Sequence, residues 1–213
     1  MKDFIIIGNN NAINDIDVFK LFKENKMWYG YSCNKTMEFS IPDNYKKWDK
    51  IENGKKIGKV PAISWFTNVD TTKRHTPLDL YKKYSNEYPH YDNYDAIEVS
   101  RVENIPLDYD GVMGVPITFV NVYNPEQFEI LGNSGNKNLY GLMTKRYTSD
   151  ECKQAYFEKF GKKGTYDLNA TCVLIKNGKR EKTYMRIFIR KRHKGIRIKP
   201  IIIKSTSGHL PTA

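Results

Sequence analysis

Phe4-Ile5-Ile6-Ile7-Gly8 leads into Asn9-Asn10-Asn11, then into Ile13, Ile16, Phe19, Leu21 and Phe22 at roughly helical spacing. A short continuous apolar run closed by Gly reads as a strand buried on both faces, the pattern of parallel sheets. The asparagines make a polar turn. Asn14 or Asp15 stands where a helix N-cap belongs. Strand, turn and helix in this order are half of a βαβ unit. A buried parallel strand requires neighbours on both edges and cover on both faces. This one starts at residue 4, so something upstream or another chain is expected to cover it. The alternative is an ordinary α+β domain whose first strand is central.

Further strands are expected at residues 27–31, 36–41, 60–69, 96–99 and 128–131, and residues 110–119 read as a turn, a Gly-rich bend and a strand. Pro61 interrupts the third of these near its start. Glu52-Asn53-Gly54-Lys55 is a turn. Residues 71–94 are polar, Tyr-rich and punctuated by Pro77 and Pro89, which predicts a loop with a short helix at 78–84. Residues 132–138 read as a flexible loop and a candidate boundary. A helix is expected at 150–160 with Ser149 as its cap. Residues 170–176, the Asn177-Gly178 turn and residues 182–192 form the clearest hairpin pattern. Residues 196–204 alternate but contain Pro200, which predicts an edge strand or an unpaired tail.

The chain has 213 residues, 39% of them hydrophobic and 13% aromatic, which excludes wholesale disorder and provides for a sizeable core. Cys33, Cys152 and Cys172 lie far apart, without zinc spacing. Their odd number and the lack of a signal-peptide pattern predict a reducing, cytoplasmic setting. No stretch approaches the ~20 apolar residues of a membrane helix. The net charge is +11, and it is unevenly placed. Residues 1–136 carry 16 Lys and Arg against 19 Asp and Glu, a net −3, whereas residues 137–213 carry 19 against 5, a net +14. The basic third includes Arg190-Lys191-Arg192-His193-Lys194 and is interleaved with Tyr140, Tyr147, Tyr156, Phe157, Tyr166 and Tyr184. One-signed clustering with aromatics points to nucleic acid, through salt-sensitive phosphate neutralisation.

Several blocks resemble the second half of EcoRI-type adenine-specific DNA methyltransferases. They are Ile6-Ile7-Gly8-Asn9-Asn10-Asn11-Ala12-Ile13, residues 24–32, Trp65-Phe66-Thr67-Asn68, residues 91–97, residues 108–119 and residues 123–130. They keep the family's order from about Phe4 to Ile130. Residues 175–179 and 186–190 resemble the family's usual C-terminal end. The resemblance implies an α/β fold, in which residues 1–70 supply the later strands of a Rossmann-like methyltransferase sheet. Residues 71–194 would form a mixed α+β target-recognition region, with 195–213 as a tail outside the match. The activity implied is methyl transfer from S-adenosylmethionine to N6 of an adenine flipped out of double-stranded DNA, within a restriction-modification system.

The family's cofactor-binding motifs and its catalytic Asn-Pro-Pro-Phe tetrad have no counterpart in this sequence. Asn124-Pro125-Glu126-Gln127-Phe128 only superficially resembles the tetrad, and reads as a structural turn. There is no P-loop and no Gly-rich dinucleotide fingerprint. The expectation is therefore a C-terminal portion that is inactive alone, with no catalytic residue and no metal site of its own. A separate N-terminal half, a disrupted gene or an expressed fragment would each account for this.

Candidate residues carry two readings each. Gly8, Asn9 and Asn11 line an adenine or cofactor pocket, or form a polar turn and helix cap. Trp65 and Phe66 pack near a flipped base, or in the core, with Asn68 as a hydrogen-bonding group. Lys73 and Arg74 contact DNA, or sit in a solvated loop. Gly111 and Gly114 bring backbone close to DNA, or make a tight turn into a core strand. Lys145, Arg146, Lys179, Arg180, Arg186, Arg190, Lys191 and Arg192 are the expected phosphate contacts. On a strand Arg186, Arg190 and Arg192 share one face, with Phe188 among them. A non-catalytic DNA-binding module is the rival function, and an RNA-binding protein a weaker one.

Overall fold

The computed structural model describes residues 2–31, 33, 35–135 and 138–192. Expectations for 195–213, including a strand at 196–204, lie outside the described residues.

The first sheet is built around one long strand. β1 (Ile5–Asn9) runs into a 3-10 turn and then α1 (Ile16–Lys23). The Asp15 carboxylate caps α1 by accepting from the backbone N–H of Asp17 and Val18 at 3.0 and 3.2 Å. β2 (Trp28–Tyr29), β3 (Lys35–Ser40) and β4 (Lys50–Glu52) follow, and all pair with β5 (Lys55–Thr67). The order is β1-β5-β2, with β5 antiparallel to both neighbours, so β1 and β2 run in the same direction. Against β3, the pairing jumps from Lys35–Ile63 to Met37–Val60. Pro61 and Ala62 occupy that irregularity, and Ala62 takes φ 56°. Pro cannot donate to a ladder, so a bulge is where a strand tolerates it.

β1 departs from its sequence reading. Ile5, Ile6 and Ile7 are 62%, 53% and 45% exposed. Register with β5 puts Ile5 and Ile7 on the Trp65 side and Ile6 on the Phe66 side, so both faces are open. Among the described residues, no strand pairs with its outer edge. The apolar run forms the expected strand, but nothing among the described residues buries it.

The second sheet has the order β6-β7-β11-β8, formed by β6 (Ile97–Glu98), β7 (Met113–Pro116), β8 (Phe128–Asn133) and β11 (Arg186–Lys191). β11 lies between β7 and β8, antiparallel to both. Ile187 and Ile189 face a core that includes Phe19, Phe22 and Phe66 as well as Met113 and Val115. That core therefore draws on residues from both sides of position 70. Phe188 faces a second cluster with Tyr91 and Tyr94.

The expected hairpin is shorter than its sequence pattern. β9 (Val173–Lys176) turns at Asn177-Gly178 into β10 (Lys179–Lys182) and stops. Both turn residues have positive φ, 50° and 72°, as a two-residue type I′ turn requires. The chain then crosses to the other sheet as β11. A four-residue α2 (Thr72–His75) stands where no helix was expected. Residues 78–84 are not helical, because tertiary side chains take up their backbone groups. Gln127 bonds both the N–H and the C=O of Leu78, at 2.7 and 2.8 Å. Asp108 accepts from the Tyr84 N–H at 2.7 Å. The expected loop at 132–138 begins inside β8, with Asn133 and Ser134 buried.

Candidate nucleic-acid interface

α3 (Ser149–Phe160) carries a reciprocal cap. The Thr148 hydroxyl accepts from Glu151 N–H at 3.3 Å, and Glu151 accepts from Thr148 N–H at 2.8 Å. The cap is Thr148, one residue before the expected Ser149. Cys152 and Ala155 on its inner face meet Tyr147, Leu168 and Val173, a small core that joins α3 to the β9–β10 hairpin. This leaves cations standing over rings. Lys145 Nζ and the Arg180 guanidinium lie 5.1 and 5.7 Å from the Tyr147 ring centroid. Lys182 lies 5.3 Å from Tyr166 and Lys159 5.9 Å from Phe160. Lys159 and Lys182 were not singled out in the sequence: Lys159 adjoins Phe160, but Lys182 meets a ring that lies on another segment.

Acidic groups occupy part of this surface. Asp92 accepts from Lys145 Nζ at 2.7 Å and from the Tyr147 hydroxyl at 2.6 Å. Burial acts to raise the Asp92 pKa, but these two bonds outweigh it and hold the carboxyl below its usual range. Asp92 is therefore a fixed anion near neutral pH. Arg180 pairs with Glu151 at 3.3 Å. Arg146 and Lys179 are exposed and make no ion pair among the described residues. Of the nominated cations on this face, they are the two left without an acidic partner.

Other expected contacts are committed elsewhere. Arg186 is 12% exposed and grips the buried Glu98 through Nη2 at 2.7 Å and Nε at 3.0 Å. Glu98 also accepts from the Tyr91 hydroxyl. Lys191 donates to the Leu107 carbonyl and pairs with Asp110 at 3.4 Å, with little exposure. Arg190 pairs with Glu129 at 3.2 Å but stays exposed, and Arg192 Nε donates to the Phe128 carbonyl at 3.2 Å. The Arg186–Arg190–Arg192 face is thus only partly open to solvent: Arg186 and Phe188 are largely buried on it, whereas Arg190 and Arg192 stay exposed.

Arg74 lies with its guanidinium 3.5 Å from the Trp28 ring centroid and its side chain largely buried. Lys73 Nζ donates to the Tyr31 carbonyl at 3.2 Å. His75 joins Asp70 at 2.8 Å and Glu126 at 3.1 Å. Asp70 first and Glu126 second raise the His75 pKa above its ordinary value. The sequence hid this cluster, since Glu126 lies 51 residues away.

The nominated pocket residues have structural duties. Asn9 accepts from Asn11 N–H at 2.8 Å, closing the turn. A Cβ on Gly8 would stand 2.8 Å from the Phe66 ring, so the glycine permits that approach. Phe66 is buried in edge-on contact with Phe22 and Tyr29. Trp65 is half-buried. Asn68 clamps the start of the chain, accepting from Phe4 N–H at 2.8 Å and donating to the Lys2 carbonyl at 3.1 Å. Gly111 and Gly114 abut the Tyr109 and Tyr91 rings. Asn124 accepts from Glu126 N–H at 2.8 Å, the structural turn expected of it. A 740 Å³ cleft between Tyr31, Tyr81, Pro77, Leu78 and Val122 includes only Lys73 among the nominated residues. The Cys172 thiol is pushed up to about 12 by burial and is no nucleophile at neutral pH.

Fold and surface define a mixed α/β protein with a cationic, aromatic face suited to phosphate. The family described as adenine-specific methyltransferase EcoRI is matched over residues 1–192, and the chain belongs to that family. It is 38% identical over 199 residues to the type II methyltransferase M.MgeORF184P of Mycoplasma genitalium, covering 89% of this chain and 57% of that protein. It is 42% identical over 139 residues to M.MpnI of Mycoplasma pneumoniae, covering 61% of this chain and 44% of the relative. With M.EcoRI of Escherichia coli the identity is 46% over 138 residues, covering 61% and 42%. The chain thus spans about half the length of these curated relatives. No solved structure matches significantly.

Proposed function

We propose that this chain is the C-terminal portion of a site-specific DNA adenine N6-methyltransferase. Residues 1–70 would contribute the later strands of a Rossmann-like sheet and residues 71–194 would grip double-stranded DNA around the target. The observation that supports this best is β1. It is parallel to β2 with β5 antiparallel between them, and it presents isoleucines on both faces and an unpaired outer edge. A strand of that composition suits the interior of an α/β sheet. A complementary segment carrying the cofactor and Asn-Pro-Pro-Phe motifs would add strands at that edge and layers on both faces.

Gly8, Asn9, Asn11, Trp65, Phe66 and Asn68 line neither the 740 Å³ cleft nor a 670 Å³ cleft beside Trp48. By themselves they do not enclose S-adenosylmethionine. Any role for Gly8, Asn9 and Asn11 toward cofactor or adenine belongs to the completed sheet, as the rim of a pocket whose other wall comes from the complementary segment. The target amino group is inaccessible in stacked duplex, so the adenine must leave the helix. Phosphate attraction then comes from Arg146 and Lys179, with Lys145, Arg180 and Lys182 beside them. No helix among the described residues is long and apolar enough to cross a membrane, and we place the work on DNA in the cytoplasm.

The rival reading, a DNA-binding module without catalysis, draws on the small independent core under α3 and the β9–β10 hairpin. Both are tested by incubating duplex DNA and labelled S-adenosylmethionine with the chain, alone and mixed with the part of a relative that lies outside the match. No incorporation alone and incorporation on mixing supports the proposal. Robust incorporation by the chain alone overturns it, and DNA binding without complementation favours the module.

A further inference from the structure

The acidic first two-thirds of the chain contain a basic island built on one ribbon. Residues 35–60 hold seven Lys against four Asp and Glu, while residues 1–136 as a whole carry 16 basic and 19 acidic side chains. This island is the three-stranded ribbon of β3, β4 and the first half of β5, with the loop 41–49 running between β3 and β4. The loop is pinned to the ribbon. Ile41 N–H donates to the Lys56 carbonyl at 3.0 Å, Asp49 N–H to the Ile57 carbonyl at 2.9 Å, and Asp49 accepts from Lys59 N–H at 2.7 Å.

That pinning holds two aromatic rings open to solvent. Trp48 is 47% and Tyr45 58% exposed, and they border the 670 Å³ cleft together with Lys46, Lys47 and Lys59. Lys56 Nζ stands 4.4 Å from the Trp48 ring centroid while donating to the Asp43 carbonyl, which fixes the ring's place. Two of the four acidic side chains here are ion-paired within the ribbon and Asp49 holds the Lys59 N–H, while the exposed Asp43 carboxylate offsets one lysine. Glu38 pairs with Lys50 at 2.7 Å and Lys59 at 3.6 Å, and Glu52 pairs with Lys50 at 2.9 Å. Lys46, Lys47 and Lys55 make no ion pair among the described residues. Burying Trp48 and Tyr45 against a partner is favourable, and the uncompensated lysines select an anionic one.

We propose that this ribbon is a second DNA-contacting surface, separate from the α3 and hairpin face. It receives the backbone of duplex DNA, with Lys46, Lys47 and Lys55 on phosphates and Trp48 and Tyr45 against the sugar face. The inference rests on the DNA-binding reading above and extends it to a site on the methyltransferase-sheet side of the chain. Two contact surfaces would hold the duplex in one orientation, which phosphate contacts do without reading sequence.

The test uses the full chain and a defined duplex oligonucleotide, with tryptophan emission and anisotropy as readouts over a salt series. The duplex is expected to quench emission in the parent, and Trp48→Phe to abolish most of that quenching. The double variant K46E/K47E is expected to weaken binding at least several-fold and to reduce the salt slope by about 2, at roughly 0.9 per phosphate contact. R146E/K179E serves as the comparison on the other face. If it weakens binding while K46E/K47E and Trp48→Phe bind and quench like the parent, the ribbon proposal is overturned and the DNA-binding reading stands. If the parent does not bind duplex at all, both fall. Quenching through Trp48 by the single strand but not by the duplex overturns the duplex assignment.

Discussion

Two strands rich in isoleucine have opposite surroundings. β1, with Ile5, Ile6 and Ile7 in a row, is open on both faces and on one edge. β11, with Arg186, Arg190 and Lys191 around Ile187 and Ile189, lies inside a sheet with both isoleucines fully buried. Hydropathy alone would place them the other way round. The difference teaches that burial follows from the neighbours available. β11 has strands on both edges and a glutamate for its arginine, whereas β1 has a strand on one edge only and open faces among the described residues.

The largest expected effect falls on β11. Arg186→Met leaves Glu98 buried without its cation, and is expected to cost about 3–5 kcal/mol in urea unfolding. Ile6→Ser on β1 is expected to stay within about 0.5 kcal/mol, as exposed substitutions do. Equal losses at the two sites would erase the contrast. A second pair of positions tests crowding. A Cβ on Gly114 would stand 2.3 Å from the Tyr91 hydroxyl oxygen inside the buried sheet. Gly114→Ala is expected to cost about 1–3 kcal/mol. Gly8→Ala is expected to cost less than half as much, because an edge strand can shift away from the Phe66 ring.

The contrast extends to charge, since Arg186 and Arg190 of β11 are both ion-paired, whereas Arg146 and Lys179 of the hairpin face make no ion pair among the described residues. R146E/K179E is expected to weaken duplex binding across sequences and lower the salt slope by about 2. Arg190→Gln, which only frees Glu129, is expected to change the slope by less than about 1. A reversed order would return the phosphate contacts to β11. The smallest expected effect is a pH response at His75. Its folded pKa is raised by Asp70 and Glu126, so the stability it adds is fully present below the unfolded value of roughly 6.5. That contribution is lost as pH rises through the folded value. Melting temperature from pH 5 to 9 should therefore fall more for the parent than for His75→Gln, and parallel profiles would remove the effect.

Local signals were legible. The Asp15 cap, the Asn53-Gly54 and Asn177-Gly178 turns and most strands follow from neighbouring residues. The basic character of the C-terminal third was legible too, and part of it is the face built on α3 and the hairpin. Long-range pairing was not. Nothing near Arg186 announces Glu98, 88 residues away, and nothing near Leu78 announces that Gln127 will take its backbone bonds. The hairpin pattern ran on too far because alternation continues from β10 into β11 while the chain changes sheets. Residues 35–60 escaped notice as a basic island because their lysines were averaged into an acidic region.

β1 lacks, among the described residues, the second strand neighbour and the cover that β11 has, and the proposed function has a complementary segment supply them. Hydrogen exchange at Ile5–Asn9 and at Arg186–Lys191 addresses this, measured in the chain alone and after mixing with the part of M.EcoRI outside the match. The outward amides of β1 should exchange fast alone and become protected in the mixture, while β11 is protected in both. Protection of β1 that is already complete in the isolated chain, or unchanged by the added segment while methylation is restored, would contradict it.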